Sequence, residues 1–252
     1  MDVSNLLTST TVLFAILIGF FIAATFTNYF QLQSLLSGET GRLIAIYSLA
    51  KSINKTAAEE IGNDIDKYLI NTFDYELIDY AQKTWKEFNN IIEAINKIEV
   101  RGEKDAILFD NINQAVLDLF KIRQEIILAA RKIISPTHWF ILTSLASITI
   151  FLLYSIRENT LVSSVLTILL STITFLILFI LNDIDNDCFA EKEIGFDVFE
   201  QVFPNIGKLK YYPAISIEKR RVAPPKDKSY RLGVYENWPN SFEKEIKIIE
   251  TK

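Results

Sequence analysis

Hydrophobic positions along this chain fall into three long runs without charge, separated by segments in which apolar residues recur at helical spacing. No charged residue occurs between Asp2 and Glu39, none between His138 and Ile156, and none between Leu161 and Leu181. A hydrocarbon core about 30 Å thick needs roughly 20 apolar residues in a helix. Each run meets that length, so the pattern predicts three transmembrane helices.

The first helix should continue past the bilayer. Leu32, Leu35, Leu36, Leu43, Ile44, Ile46 and Leu49 keep a helical period while Gln31, Gln33, Ser34 and Ser37 thin out the hydrophobicity. Thr56-Ala57-Ala58-Glu59 reads as a capping box opening a second helix, with Ile61, Ile65, Tyr68, Leu69 and Phe73 on one side. Asp74 is placed to cap a further helix that carries Leu77, Trp85, Phe88, Ile91 and Ile95. Arg101-Gly102-Glu103 is the expected break. Beyond it Ile112, Val116, Leu119, Ile126 and Ala130 repeat helically up to Ser135-Pro136, where proline suits the first turn of the next span. The short turn Arg157-Glu158-Asn159-Thr160 makes the last two spans an antiparallel hairpin.

The tail differs in kind. Phe196, Phe199, Val202 and Phe203 share a helical face that Pro204 should end. Tyr211–Glu218 and Tyr230–Tyr235 are short alternating runs able to pair as a hairpin. The phenylalanine face either packs inward or touches the membrane interface.

These elements divide the chain into a first transmembrane helix with its extension (1–55), a helical region (56–135), a transmembrane hairpin (136–182) and a tail (183–252). The expected fold class is an all-α membrane protein: three transmembrane helices, a long cytoplasmic helical hairpin and a small irregular or β C-terminal tail.

Charge sets the expected orientation. Of the 26 Lys and Arg residues, only Arg157 lies on the side shared by the N-terminus and the 157–160 turn. The positive-inside bias therefore places the soluble segments in the cytoplasm of a multi-pass inner-membrane protein, with the N-terminus outside. The leader Met1-Asp2-Val3-Ser4-Asn5 has no basic residue, which favours a retained anchor over a cleaved signal. Cys188 is the single cysteine and excludes an intramolecular disulfide. A pI near 5.1 argues against a nucleic-acid partner.

Candidate chemistry is sparse. His138, the single histidine, sits beside Trp139 at a span boundary, where an interfacial role outweighs a proton relay. Asp183-Ile184-Asp185-Asn186-Asp187 resembles the start of an EF-hand loop, but that loop needs glycine sixth and glutamate twelfth, where Cys188 and Ile194 stand. Asp183, Asp185 and Asp187 are thus only weak metal candidates, more suited to capping a helix end or pairing with Lys192. With no P-loop, no GxGxxG and no nucleophile elbow, neither an enzyme nor a cofactor is expected.

The first helix offers more. Ala15, Gly19 and Ala23 form a small-xxx-small face suited to close helix packing, within one subunit or between copies. Beside it run Phe14, Ile18 and Phe21, then Thr25, Asn28 and Gln31. Repeated around an axis, the apolar three would form a pore neck and the polar three a vestibule below it. Within one subunit the same stripe is a helix-packing seam.

The stretch Leu13-Phe14-Ala15-Ile16-Leu17-Ile18-Gly19-Phe20, followed by Glu39, Leu43, Tyr47, Leu49, Ala50, Tyr68, Tyr80 and Trp85, resembles the bestrophin-like bacterial membrane family. Leu181-Asn182-Asp183-Ile184-Asp185 and Phe189 stand where that family carries an acidic Leu-Asp-x-Pro-Phe-x-Gly motif. The motif's proline and glycine are missing here, Thr84 replaces the usual acid before the tryptophan, and Lys86 follows it. The resemblance covers roughly residues 10 to 205. It implies a subunit related to the bestrophins, which are pentameric anion channels with an aromatic neck. The expected partners are then the lipid bilayer and further copies of the chain. The rival expectation is a non-conducting, membrane-anchored assembly or signalling protein whose cytoplasmic helices dock a partner protein.

Overall fold

The structure, a computed structural model, describes residues 3–185, 188–189, 192–193, 196–220, 222–226 and 228–250. Its elements run α1 (Val3–Ile53), α2 (Lys55–Thr72), α3 (Leu77–Lys83), α4 (Trp85–Asn96), α5 (Glu103–Ala129), α6 (Pro136–Ser155) and α7 (Leu161–Asp185). The short strands β1 (Cys188–Phe189) and β2 (Lys192–Glu193) follow, then α8 (Phe196–Glu200), α9 (Val202–Asn205), β3 (Tyr211–Pro213), α10 (Ala214–Glu218), β4 (Tyr230–Tyr235) and β5 (Lys244–Ile249). Among the described residues three helices are long and apolar enough to cross a membrane: α1, α6 and α7. The expected class holds: a helical membrane protein with a small sheet near its C-terminus.

Two compact units share α1, which passes from one to the other as a single helix. The first comprises Met1–Phe30 and Lys132–Ala190, the second Gln31–Arg131 and Glu191–Lys252.

In the first unit α1 lays Phe14, Ile18 and Phe21 against Ile134, Leu142, Ala146 and Leu181. Ser135 caps α6 with its hydroxyl on the His138 N–H, and Pro136 takes the first turn, as the sequence suggests. The hydroxyls inside the spans are satisfied locally: Thr149 donates to the Leu145 carbonyl (2.8 Å), Ser171 to Thr167 (2.8 Å) and Thr174 to Leu170 (2.9 Å). Those hydroxyls therefore need no partner from a neighbouring helix. Most of α7 stays uncovered by protein, with Leu161, Val162 and Phe179 well exposed, and that apolar surface is what lipid solvates.

The second unit is built on the buried stripe Leu36, Leu43, Ile46 and Ala50 of α1, with Ile61, Ile65 and Leu69 of α2, Phe88, Ile91 and Ile95 of α4, and Ile112, Leu119 and Ile126 of α5. Local starts and stops differ from the sequence expectation in three places. Asn54, not Thr56, caps α2, accepting from the Thr56 N–H (2.9 Å) and the Ala57 N–H (3.4 Å). Asp74 caps nothing; it accepts from the Tyr235 hydroxyl (2.5 Å) and from Lys244. The single helix expected after it is broken at Thr84, whose hydroxyl donates to the Tyr80 carbonyl at 2.6 Å. Gly102 does separate α4 from α5.

The tail from Glu191 on belongs to the second unit, and its pairing differs from the expected hairpin between the Tyr211 run and β4. The run from Tyr211 pairs parallel to β4, with Tyr211 opposite Arg231 and Pro213 opposite Gly233, and α10 replaces its second half. The hairpin partner of β4 is β5, antiparallel, with Tyr230 opposite Ile249. Pro204 lies inside α9 and does not end it. Phe196, Phe199, Val202 and Phe203 are buried, not interfacial, and Phe73 is their anchor, with ring centroids 4.7 Å from Phe196 and 6.0 Å from Phe199. Arg231 forks onto Asp66 with bonds of 2.7 and 2.6 Å, the planar geometry that makes such pairs specific. Burial pushes the Asp74 carboxyl up and the Lys244 ammonium down, and each opposes the other's shift.

Candidate functional site

The face that α1 leaves uncovered is the strongest candidate, and it is not the expected one. A helix advances 100° per residue, so the buried positions Phe14, Ile18, Phe21 and Thr25 form one arc within the first unit, as Leu32, Leu36, Glu39, Leu43 and Ile46 do within the second. Opposite the first arc lie Val12, Ile16, Gly19, Ala23 and Phe30. Ile16, Phe20 and Phe30 are each more than 60% exposed, and a Cβ on Gly19 would meet nothing within 4 Å. Ala15 and Ala23 are exposed on this face too, as are Thr27 and Gln31.

Phe14, Ile18 and Phe21, expected as a pore neck, are therefore the packing seam of a single subunit, 6–7% exposed. Thr25 is buried with its hydroxyl on the Phe21 carbonyl (2.8 Å), so it is no vestibule group. Asn28 is half-buried, and of the three polar candidates Gln31 alone is exposed. The small residues Ala15, Gly19 and Ala23 are on the free side, available to a neighbour outside the chain. The physical reason for the exchange is plain. An aromatic stripe covered by α6 and α7 has the same sequence signature as one covered by other copies.

A second constellation sits where α1 passes Glu39, the residue that ends the first charge-free run. Glu39 and Arg123 are 0% and 2% exposed. Glu39 accepts hydrogen bonds from the hydroxyls of Tyr68 and Tyr80, the latter at 2.8 Å. Arg123 donates to the Tyr68 oxygen and, at 2.6 Å, to the Ala81 carbonyl, and stands 3.7 Å from the Glu39 carboxylate. Its guanidinium also lies 4.2 Å from the Phe88 ring centroid, 5.1 Å from that of Tyr68 and 5.5 Å from that of Tyr80. Burial, then the neighbouring Glu39 charge, raises both tyrosine hydroxyls well above their usual range, so they stay donors at any ordinary pH. The cluster joins α1, α2, α3 and α5 through one buried ion pair. Every buried side-chain polar atom among the described residues is partnered, and this cluster acts as a lock between those helices. Glu39, Tyr68 and Tyr80 are among the residues that carry the family resemblance. Arg123 had no such signal, since a cation on an amphipathic helix reads as solvated.

The third is Asp185 at the end of α7. Its carboxylate accepts from the backbone N–H groups of Ile133 (3.2 Å) and Ile134 (3.1 Å) and from the Trp139 indole (3.3 Å). Asp185 thereby clamps the entry of α6 to the exit of α7. These donors satisfy the oxygens a cation would need, Asp183 is exposed elsewhere, and Asp187 lies outside the described residues. Among the described residues no group of three or more His, Cys, Asp or Glu is arranged to hold a metal ion. Asp185 is a clasp between the two spans. Replacing Asp185 by alanine should cost about 2–3 kcal/mol, the scale of stranding buried donors. Asparagine, which keeps an acceptor, should cost less. Thermal unfolding in detergent, followed by tryptophan emission, checks the order; equal melting of both variants would remove the clasp. His138 has its Nδ1 2.9 Å from the Ser135 hydroxyl and its ring 5.1 Å from that of Phe21, an interfacial capping role.

Comparison with known proteins adds one match: a family model, the Bestrophin-like domain, fits residues 3–187. No curated protein and no solved structure matches the chain.

Proposed function

The chain belongs to the bestrophin-like family, and from that premise we propose that it forms a homo-oligomeric ion channel lined by α1. Bestrophins are pentameric anion channels, so a pentamer conducting anions is the form the family relationship favours. The observation that carries the reading is the uncovered face of α1. Over its membrane-crossing part this face has small residues that admit close approach, flanked by large exposed side chains at Val12, Ile16 and Phe20.

Arranged about an axis, Ile16 and Phe20 form the apolar constriction, and Thr27 opens the uncharged polar end of the same face. Hydrophobic constrictions gate by dewetting. The free face carries no charged residue before Arg42, which is itself paired with Asp118 at 2.9 Å. Anion preference then rests on uncharged donors rather than on a basic ring. The charge bias supports an inner-membrane placement with the N-terminus outside and the second unit in the cytoplasm.

Reconstitution in liposomes with chloride and potassium flux measured side by side tests the reading. Phe20→Ala should raise flux several-fold, because it widens the constriction. Phe14→Ala should weaken the fold without raising flux, because it empties the seam. Flux that rises with Phe14→Ala but not with Phe20→Ala would return the neck to the buried stripe. An intact oligomer without flux would favour the rival reading, a docking platform. That reading draws on the exposed Trp85, Leu117 and Leu128 of the second unit, at 50%, 61% and 61%.

A further inference from the structure

Where the α2–α3 turn meets the tail of the second unit there is a cavity of about 260 Å³. That volume lies just below the roughly 300–1,000 Å³ of ordinary small-molecule pockets. Aromatic and acidic residues dominate its walls. Phe73, Tyr75, Tyr235 and Trp238 supply four aromatic rings, and Glu76 supplies a carboxylate. Asp74 also borders it, but that carboxylate is already engaged by Lys244 and the Tyr235 hydroxyl. Glu76 makes no side-chain cap bond to α3 although it holds the N-cap position. Glu76 is exposed and lines the cavity.

One more feature decides what such a cavity takes. The Lys219 ammonium sits 4.3 Å from the centroid of the Trp238 ring. Lys219 is exposed and carried on a flexible stem just after the short helix α10. The chain thus places one of its own ammonium groups on the aromatic wall, as an internal occupant that can swing away. Aromatic faces attract cations through the ring quadrupole, and surrounding rings suit weakly hydrated alkylated ammonium best.

The geometry points to this cavity as a binding site for a small organic cation of the quaternary-ammonium class. Trp238 is its principal wall, Glu76 its counter-charge, and Lys219 a built-in competitor for the same ring. Two properties follow. Affinity depends on the ligand's charge and not only on its shape. Removing the Lys219 ammonium strengthens binding, since the ligand no longer has to displace it.

The test uses the full-length protein in detergent and calorimetric titration with choline. The control ligand is 3,3-dimethyl-1-butanol, the neutral isostere of choline. Choline should bind saturably and the isostere at least ten-fold more weakly. Lys219→Gln should tighten choline several-fold. Trp238→Leu and Glu76→Gln should each weaken it about ten-fold or more; both residues are surface-accessible, and unchanged melting of the variants separates lost binding from lost fold. Equal binding of choline and its isostere would overturn the assignment, as would weaker or unchanged binding in Lys219→Gln. Absence of choline binding in both wild type and Lys219→Gln would also end it. None of these readouts depends on ion flux, so the site and the channel stand or fall separately.

Discussion

Arg123→Met should destabilise the second unit by about 3–5 kcal/mol, the cost of breaking one side of a buried ion pair. The reason lies with what remains behind. Without the guanidinium, the Glu39 carboxylate stays at 0% exposure with two tyrosine hydroxyls and no countercharge. The Ala81 carbonyl loses its donor, and the rings of Tyr68, Tyr80 and Phe88 lose the cation they surround. Glu39→Leu alone should be nearly as damaging, since it strands the arginine. The double variant should lose less than the sum of the two singles, by at least about 1.5 kcal/mol, because both charges leave together. It should not recover fully: Tyr68 and Tyr80 then bury hydroxyls without their acceptor. Thermal and denaturant unfolding of the four proteins in detergent gives the cycle. Additive losses, or an Arg123→Met variant that melts with wild type, would mean that the cluster is not a lock. Because Glu39 lies on α1, the same cycle read by flux measures how far the lock sets the helix that the channel reading places at the pore.

The spans were legible because a lipid solvent demands nothing subtler than length and absence of charge, and the runs 3–38, 138–156 and 161–181 supply both. The Ser135-Pro136 start of α6 and the Gly102 break were legible for a local reason: capping is chemistry between near neighbours in sequence. What could not be read is which covered face is covered by what. Phe14, Ile18 and Phe21 mark a distinctive stripe. Whether α6 and α7 or another copy fills it depends on contacts more than 100 residues away in sequence, at Ile134, Leu142, Ala146 and Leu181. The same limit hid Arg123. Its partners at positions 39, 68 and 80 converge only in the fold, and alone it counts as one more surface charge of an amphipathic helix. In the tail, alternation identified β4, but strand direction and partner are non-local. A parallel neighbour at Tyr211–Pro213 and an antiparallel one at Lys244–Ile249 are equally compatible with its pattern.

Gly233→Ala should break the β3–β4 pairing and loosen the tail of the second unit. A Cβ at this position would stand 2.0 Å from the Tyr211 hydroxyl oxygen, 2.7 Å from Cζ and 2.9 Å from Cε2. No relaxation is at hand. Tyr211 is fully buried, with its ring centroid 6.0 Å from that of Phe73 and 6.5 Å from that of Phe203. Gly233 is held from both sides in the sheet, opposite Pro213 and Ile246. Overpacking of a well-packed site costs about 1–3 kcal/mol and at times more, and a clash with a ring that cannot turn belongs at or above the upper end. The expected result is faster amide exchange through β4 and β5 and new proteolytic cleavage within residues 209–249. The Asp185 clamp, read by Trp139 emission, stays as in wild type. Tyr211→Phe in the same chain removes the nearest clashing atom but leaves the ring carbons, so it should restore protection only in part. Protection equal to wild type in Gly233→Ala would show that β3 and β4 separate without cost. Because Tyr235 lies on the same strand as Gly233 and Trp238 just after it, the loosened tail also loses the aromatic walls of the cation cavity. Choline binding should therefore vanish along with protease resistance, whereas an oligomer that conducts through α1 needs neither wall.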